Sequence, residues 1–339
     1  MTMQDFLNQN EASIPIEFQA GEIEPSETGD WEKRYSLLKH RIASNVSDLE
    51  KLPFLRDALD DSNQSIRYLA TNSLKSMQCD GVIDALLFAL TDSSDWIRIR
   101  AIEGLGNLKA SQAVEPFIHY LDVDSNPKVR ATLVKHLGQF KEQKLIPVIA
   151  GYLQDNDARV RANAIEGLGF YPPDQVGDIV RPFVEDGNAR IRANVAVILS
   201  KSADAEVSRG TIASMLQSES PYERMGAVFS IGETGDHDYI PILIRLLNDP
   251  SYLIQRNVCD AMIKFGLVIQ GPLLKEVRAK KSEQFITGAL RVLSEVGDKK
   301  SLKTLLRLQE FGDGEVRAAA EEAIDKICTR VDGNSTINI

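Results

Sequence analysis

An aspartate and an arginine recur together along this sequence at a constant spacing. The acid stands six residues before the base in five places: Asp61 and Arg67, Asp92 and Arg98, Asp124 and Arg130, Asp155 and Arg161, and Asp186 and Arg192. A carboxylate and a guanidinium can take part in acid–base chemistry, or they can form charge-assisted hydrogen bonds that hold a structure together. The choice between these roles depends on the elements that carry the pairs.

Other residues that could do chemistry are few and scattered. The four histidines occur singly, and none is followed by a glutamate: they are His40, His119, His136 and His237. The three cysteines, Cys79, Cys259 and Cys328, have no CxxC spacing, which argues against a zinc site or a disulfide framework. The sequence contains no glycine-rich phosphate loop and no GxSxG motif. We therefore predict no catalytic residue, no metal site and no cofactor.

The arginines mark a repeat. They fall at Arg67, Arg98, Arg130, Arg161, Arg192 and Arg224, in steps of 31 or 32 residues. Continuing the step leads to Gln255, Ile286 and then Arg317, where the surrounding phrase returns as EVRAAAEEAI, so we count nine units. A constant period of this size is typical of stacked helical arrays.

Each unit has the pattern of two helices joined by a turn. A proline recurs 14 residues before the arginine position, at Pro53, Pro116, Pro147 and Pro241, where the first turn or a bend of a helix tolerates it. The Asp-rich turn that follows can cap a second helix. In one unit the apolar positions of this second helix are Val160, Ala164, Ile165 and Leu168. The pattern predicts an all-α protein, an α-solenoid of about nine helical hairpins.

The phrase D-x4-V/I-R-x2-A…L-G resembles the HEAT repeats, specifically the short bacterial type named after phycobilisome lyases. The resemblance covers residues 50–328 and implies that the repeated aspartates and arginines form a hydrogen-bonded ladder between neighbouring turns. Such bonds suit helix starts, which have unpaired N–H groups. We therefore give all five Asp–Arg pairs a structural role.

The two ends of the chain differ from the repeats. Residues 1–30 carry seven acids and no Lys or Arg, so the remaining residues carry only −3 of the net charge of −10. We predict a disordered acidic tail at 1–29, which is either a solvated leader or a short motif that docks on a partner or on the protein itself. The solenoid should span residues 30–328, with caps at 30–50 and 300–328, and residues 329–339 should fray.

The second helices of such solenoids line the concave face, and two rows should point outward there, two and five residues after the arginine. We predict that a protein or peptide partner binds at residues of these rows: Arg100, Glu103, Asn163, Glu166, Asn194, Val197, Phe229, Asn257 and Asp260. Four acids and two bases in the second row argue against a nucleic-acid groove. Val197 and Phe229 are apolar where most units are polar. They form either an exposed hot spot or a locally buried contact.

These patterns favour a non-catalytic adaptor that binds a protein or peptide. The resemblance implies one alternative, a bilin lyase or phycobilisome-associated factor that acts on a tetrapyrrole-carrying protein. The N-terminus lacks the features of a signal peptide, and no apolar run is long enough for a membrane span. We therefore expect a cytoplasmic protein without membrane insertion or nucleic-acid binding, and the oligomeric state stays open.

Overall fold

The computed structural model of the protein describes residues 30–279 and 282–335. These residues form nineteen α-helices, several short 3-10 turns and no strand. The predicted all-α solenoid is confirmed. The tail predicted at 1–29 lies outside the described residues.

The described chain divides into two compact units, residues 30–180 and residues 181 onward. The first unit contains ten helices: α1 (Trp31–Ala43), α2 (Asp48–Ala58), α3 (Gln64–Leu74), α4 (Val82–Ala89), α5 (Asp95–Asn107), α6 (Val114–Val123), α7 (Pro127–Gln139), α8 (Ile146–Gly151), α9 (Ala158–Leu168) and α10 (Pro173–Val180). Helices α2 to α9 form four antiparallel hairpins, and the second helices α3, α5, α7 and α9 pack against one another in sequence.

The second unit contains nine helices within the described residues: α11 (Ala189–Leu199), α12 (Ala205–Leu216), α13 (Pro221–Thr234), α14 (Ile240–Leu246), α15 (Tyr252–Lys264), α16 (Gln270–Arg278), α17 (Glu283–Val296), α18 (Lys299–Phe311) and α19 (Gly314–Ser335). Helices α12 to α19 form four hairpins, and the second helices again pack in series. One apolar cluster runs from Ala193 to Ile327.

Local sequence explains where the second helices begin. The side chains of Asn63, Asn126, Asp157 and Asn188 each accept a hydrogen bond from the backbone N–H two residues later. Such caps satisfy amide groups that have no partner inside the helix. The apolar positions predicted for one second helix, Val160, Ala164, Ile165 and Leu168, are fully buried.

Glycine sets the distance between two of the second helices. A Cβ atom added to Gly138 in α7 would lie 2.1 Å from the backbone oxygen and 2.6 Å from the Cα of Gly167 in α9. These helices therefore touch backbone to backbone, an approach that any side chain at residue 138 would prevent.

The terminal helices differ from the predicted boundaries. At the N-terminal end of the described residues, α1 precedes the first complete hairpin, because α2 is already the first helix of that hairpin. At the C-terminal end, α19 continues to Ser335, past the boundary predicted at residue 328. Arg330 donates hydrogen bonds to the carbonyl oxygens of Ser294 (3.0 Å) and Gly297 (2.6 Å). These carbonyls end α17 and have no helical partner, so Arg330 holds residues that the sequence predicted to fray.

Candidate partner-binding surface

The repeated arginines of the first unit reach forward to the next repeat. Arg67 donates to both carboxylate oxygens of Asp92 (2.7 and 3.1 Å), and Arg98 contacts Asp124 with the same distances. Arg130 contacts Asp155 at 3.3 and 3.5 Å. Each base therefore bonds to the carboxylate of the following repeat and not to the carboxylate six residues before it.

The aspartate six residues before each ladder arginine contacts that arginine through its backbone oxygen. The Nη1 atoms of Arg67, Arg98, Arg130 and Arg161 donate to the backbone oxygens of Asp61, Asp92, Asp124 and Asp155, at 3.0, 2.9, 3.2 and 2.9 Å respectively. The carboxylates of these four aspartates also accept the backbone N–H two residues later, at 2.8 or 2.9 Å. One guanidinium thus holds its own turn and the next turn together, which is a stacking device.

The second unit keeps this device with changed residues. Ser218 stands six residues before Arg224, where the earlier repeats have an aspartate. Arg192, which would reach that aspartate, contacts the carboxylate of Glu223 instead. It also donates to the backbone oxygen of Asp186. Arg224 binds Asp249 at 3.1 and 3.2 Å. Gln255, which replaces the next arginine, donates from Nε2 to the backbone oxygen of Asp249 at 2.6 Å.

Sequence reasoning missed one member of the ladder. Arg34 in α1 donates to both carboxylate oxygens of Asp61, at 2.9 and 3.2 Å. It stands 33 residues before Arg67, close to the repeat step, and that spacing is the signal that would have found it. Helix α1 therefore takes the place of a second helix in the ladder.

Four of the predicted partner-binding residues are engaged in ion pairs. Glu103 accepts from Lys75 at 2.8 Å and from Arg100 at 2.7 Å. Glu166 pairs with Lys135 at 3.1 Å, and Asp260 pairs with Arg291 at 3.2 Å. Burial opposes ionisation of Glu103, but the Lys75 hydrogen bond and the Arg100 charge outweigh it and hold its pKa below the ordinary value. These side chains link neighbouring second helices.

The three asparagines of the predicted partner-binding rows are buried, where the prediction needs exposed side chains. Asn163 donates from Nδ2 to the backbone oxygen of Ala131 on the neighbouring second helix, at 2.9 Å. Asn194 is buried as well. Asn257 has no exposed surface, and its Nδ2 donates to the backbone oxygen of Leu253 at 2.8 Å.

Val197 and Phe229 also belong to the packed interior of their unit. Phe229 retains 7% of its exposure, and Val197 is half-buried against the same apolar cluster. The ammonium group of Lys264 lies 5.8 Å from the centre of the Phe229 ring. Helices of the neighbouring repeats cover these two side chains. Of the two alternatives, an exposed hot spot and a locally buried contact, the structure has the buried contact.

One groove of the second unit lies at a place where the repeat pattern changes. It has a volume of about 670 Å³ and is lined by residues of α15, α17 and their neighbours, including Tyr252, Arg256, Cys259, Gly288 and Arg291. Helix α17, the second helix of its hairpin, has Ile286 in place of the ladder arginine. A Cβ atom on Gly288 would lie 3.2 Å from Leu247 and 3.8 Å from the sulfur of Cys259, so a larger side chain there would narrow the groove.

Arg256 departs most from the repeat pattern in this groove. It stands one residue after the ladder position, where five other repeats place a buried apolar side chain: Ile99, Ala131, Ala162, Ala193 and Met225. Its Nε is buried and has no hydrogen-bond partner among the described residues. The sequence signal for this site was a charged residue at an otherwise apolar position of the repeat.

Cys259 does not supply a nucleophile to the groove. Burial raises the pKa of its thiol to about 11, and the thiol donates to the backbone oxygen of Gly288 at 3.5 Å. The reactive form of cysteine is the thiolate, and at neutral pH this residue keeps its proton. The polar side chains that line the groove include those of Arg256, Arg291 and Tyr252.

The sequence profile of HEAT repeats matches the chain three times, over residues 52–126, 114–201 and 208–290. The chain belongs to the HEAT-repeat family. HEAT repeats typically mediate protein interactions and act as scaffolds, because stacked hairpins present long continuous surfaces. The HEAT repeats of this chain combine the Asp–Arg ladder with a groove in which the pattern changes.

Several solved structures are similar to this chain at low sequence identity. The complex of CpcE and CpcF of phycocyanin lyase from Nostoc sp. PCC7120 is 20% identical with a TM-score of 0.49, and the match covers 74% of this chain and 96% of that one. Human deoxyhypusine hydroxylase is 17% identical with a TM-score of 0.35, over 82% of this chain and 96% of that one. Karyopherin Kap121p, bound to the extreme C-terminus of the phosphatase Cdc14p, is 16% identical with a TM-score of 0.38, over 87% and 41%. The sequence matches no curated protein.

Within residues 30–279 and 282–335, none of the HEAT-repeat helices combines the length and the apolar character needed to cross a bilayer. The same residues contain no group of three or more His, Cys, Asp or Glu side chains placed to hold a metal ion.

Proposed function

We propose that this protein is a non-catalytic adaptor that holds a segment of a protein partner in the groove between α15 and α17. One observation carries the proposal: at Arg256 the repeat replaces an apolar stacking residue with a charged one, and this side chain lines a groove of about 670 Å³. The other rows that the sequence predicted for binding are occupied by contacts within the repeats. The groove is therefore a more specific candidate than the second-helix surface as a whole.

The groove is lined by residue types that are common in protein–protein interfaces. Tyr252 is 70% exposed at the start of α15, and Arg291 is exposed on α17. Tyrosine and arginine are enriched among the residues that dominate protein–protein binding, because both offer large area together with hydrogen bonding. Arg256 lies beside them, half-buried on α15.

A site-specific photo-crosslinker tests this function. Tyr252 is replaced by benzoylphenylalanine, and the full chain is irradiated in native lysate. The matched control carries the same group at Tyr222, which is 54% exposed at the start of α13 in the preceding repeat. We expect a protein conjugate from residue 252 that is absent from residue 222. No conjugate at residue 252, or the same set of conjugates from both positions, would count against the groove as the binding site.

A further inference from the structure

The chemistry of the groove indicates which group of the partner it binds. This inference rests on the proposed function and makes it more specific. We propose that the groove receives one carboxylate, the side chain of an Asp or Glu in a peptide segment of the partner, between the guanidinium groups of Arg256 and Arg291.

Arg256 requires an acceptor. A guanidinium stays charged at all physiological pH values and carries five N–H donors in a planar fork. A buried donor without an acceptor costs free energy that a solvated donor does not. The buried Nε of Arg256 has no partner among the described residues, at a position where other repeats save this cost with alanine, isoleucine or methionine. The Arg256 side chain lines the groove, so a carboxylate that enters can meet its guanidinium group, and a turn of the side chain that brings Nε to the carboxylate would remove the cost. The site therefore suits a ligand better than it suits stacking.

Arg291 supplies a second positive charge on the facing helix. Its side chain is 44% exposed and makes a single 3.2 Å contact with Asp260 through Nη2, in contrast to the paired short contacts of Arg67 and Arg98. Most of its donors therefore remain available to a ligand. Two guanidinium groups on facing helices match the two oxygens of a carboxylate, which favours paired hydrogen bonds over a single contact.

The rim of the groove limits the charge of the ligand. Glu283 and Glu315 also line it, and both are exposed in the first turns of α17 and α19, where a helix N-terminus favours a carboxylate. These two acids repel a ligand with many negative charges, such as a nucleic acid or an acidic tract. A single carboxylate that reaches past the rim, with neutral or basic residues beside it, fits both the basic interior and the acidic edge.

The experiment selects ligands from a random displayed peptide library on the full chain, with Arg256→Met as the matched counter-target. Methionine occupies the equivalent position at Met225, so the variant should fold, and we expect its thermal midpoint to equal or exceed that of the parent. We expect enriched peptides to share one acidic position. Changing that residue to its amide should weaken binding by about tenfold or more in the parent and much less in Arg256→Met.

Each outcome decides the inference. Enriched peptides without an acidic position, or an amide effect of equal size in both chains, would overturn it while leaving the adaptor function in place. No enrichment over Arg256→Met would also overturn it. A thermal midpoint that falls clearly in Arg256→Met would show that Arg256 serves the fold. The photo-crosslinking result is separate: absence of a protein conjugate at residue 252 would count against the adaptor function itself, whatever the peptide library shows.

Discussion

The first and second units both join neighbouring repeats by a polar ladder, but the ladder residues vary more in the second unit. In the first unit Arg67 and Arg98 bind the next acid with identical distances, and Arg34 extends the series to the first helix. In the second unit a glutamate replaces one acid, a glutamine replaces one arginine, and Ile286 ends the series. The comparison shows that a turn can be held by several polar partners. Positions that do not serve stacking are then open to other uses, as we propose for Arg256.

The largest effect should come from the backbone contact in the first unit. Gly138→Ala places a methyl group against the main chain of Gly167, which cannot move aside. We expect a loss of more than about 3 kcal/mol in the free energy of unfolding, measured by urea denaturation. Gly210→Ala, in an exposed part of α12 with open space around it, is the control and should be neutral or slightly stabilising. Equal losses at both sites would contradict the close approach.

Acid should weaken the first unit through His136. Burial lowers the pKa of this imidazole to about 4, whereas the ordinary value is 6.5. The folded state therefore binds fewer protons than the unfolded state between these values, and stability falls as the pH falls through this window. Between neutral pH and about pH 4.5 the loss should be roughly 2.5 kcal/mol.

The variant His136→Asn should remove most of this slope in a series of denaturation curves against pH. His119→Asn, at an exposed histidine of the same unit, should leave the slope as it is. An unchanged slope in His136→Asn would show that another group causes the acid sensitivity.

The ladder itself allows a direct comparison of the two units. Asp124→Asn and Asp249→Asn each weaken a buried acceptor of an arginine and of a backbone N–H group. We expect each substitution to lower the free energy of unfolding, measured by denaturation, by about 2 kcal/mol. Asp57→Asn, at an exposed acid of the first unit, is the control and should leave this free energy unchanged. A much smaller cost for Asp249→Asn would mean that the second unit depends less on its ladder than its geometry suggests.

The smallest effect belongs to the ion pairs between second helices. Lys135→Gln removes the partner of Glu166 at a site where both side chains are about one third exposed or less. We expect a loss of about 0.5 kcal/mol that shrinks in high salt. Lys144→Gln, at a more exposed lysine, should leave the unfolding midpoint unchanged. A loss that is large and independent of salt would indicate packing by the lysine stem instead of charge.

The repeat explains why much of the fold was predictable. The period of the arginines and the polar turn before each of them identified the helical hairpins, since these features are local and recur. The boundaries at the ends were less certain. Arg34 and Arg330 act through contacts with Asp61 and with the end of α17, and such contacts depend on packing between distant segments.

The candidate surface was harder to predict for a related reason. A helical position that faces away from its own hairpin is exposed only if the next repeat does not cover it, and sequence periodicity describes one hairpin at a time. Asn163 was therefore placed on the surface, and Phe229 was left open between an exposed and a buried position, although both side chains are buried. Arg256 was missed because it stands beside the two rows in which surface residues were sought.

The forward reach of each ladder arginine also has a genetic consequence. A segment that runs from one ladder aspartate to the residue before the next, such as residues 92–123, contains one donor for the following copy and one acceptor for the preceding copy. If this segment is duplicated in tandem, every ladder arginine again meets an aspartate, and no ladder residue is left without a partner at the seam. The length of the array can thus change by simple duplication of coding sequence, one hairpin at a time.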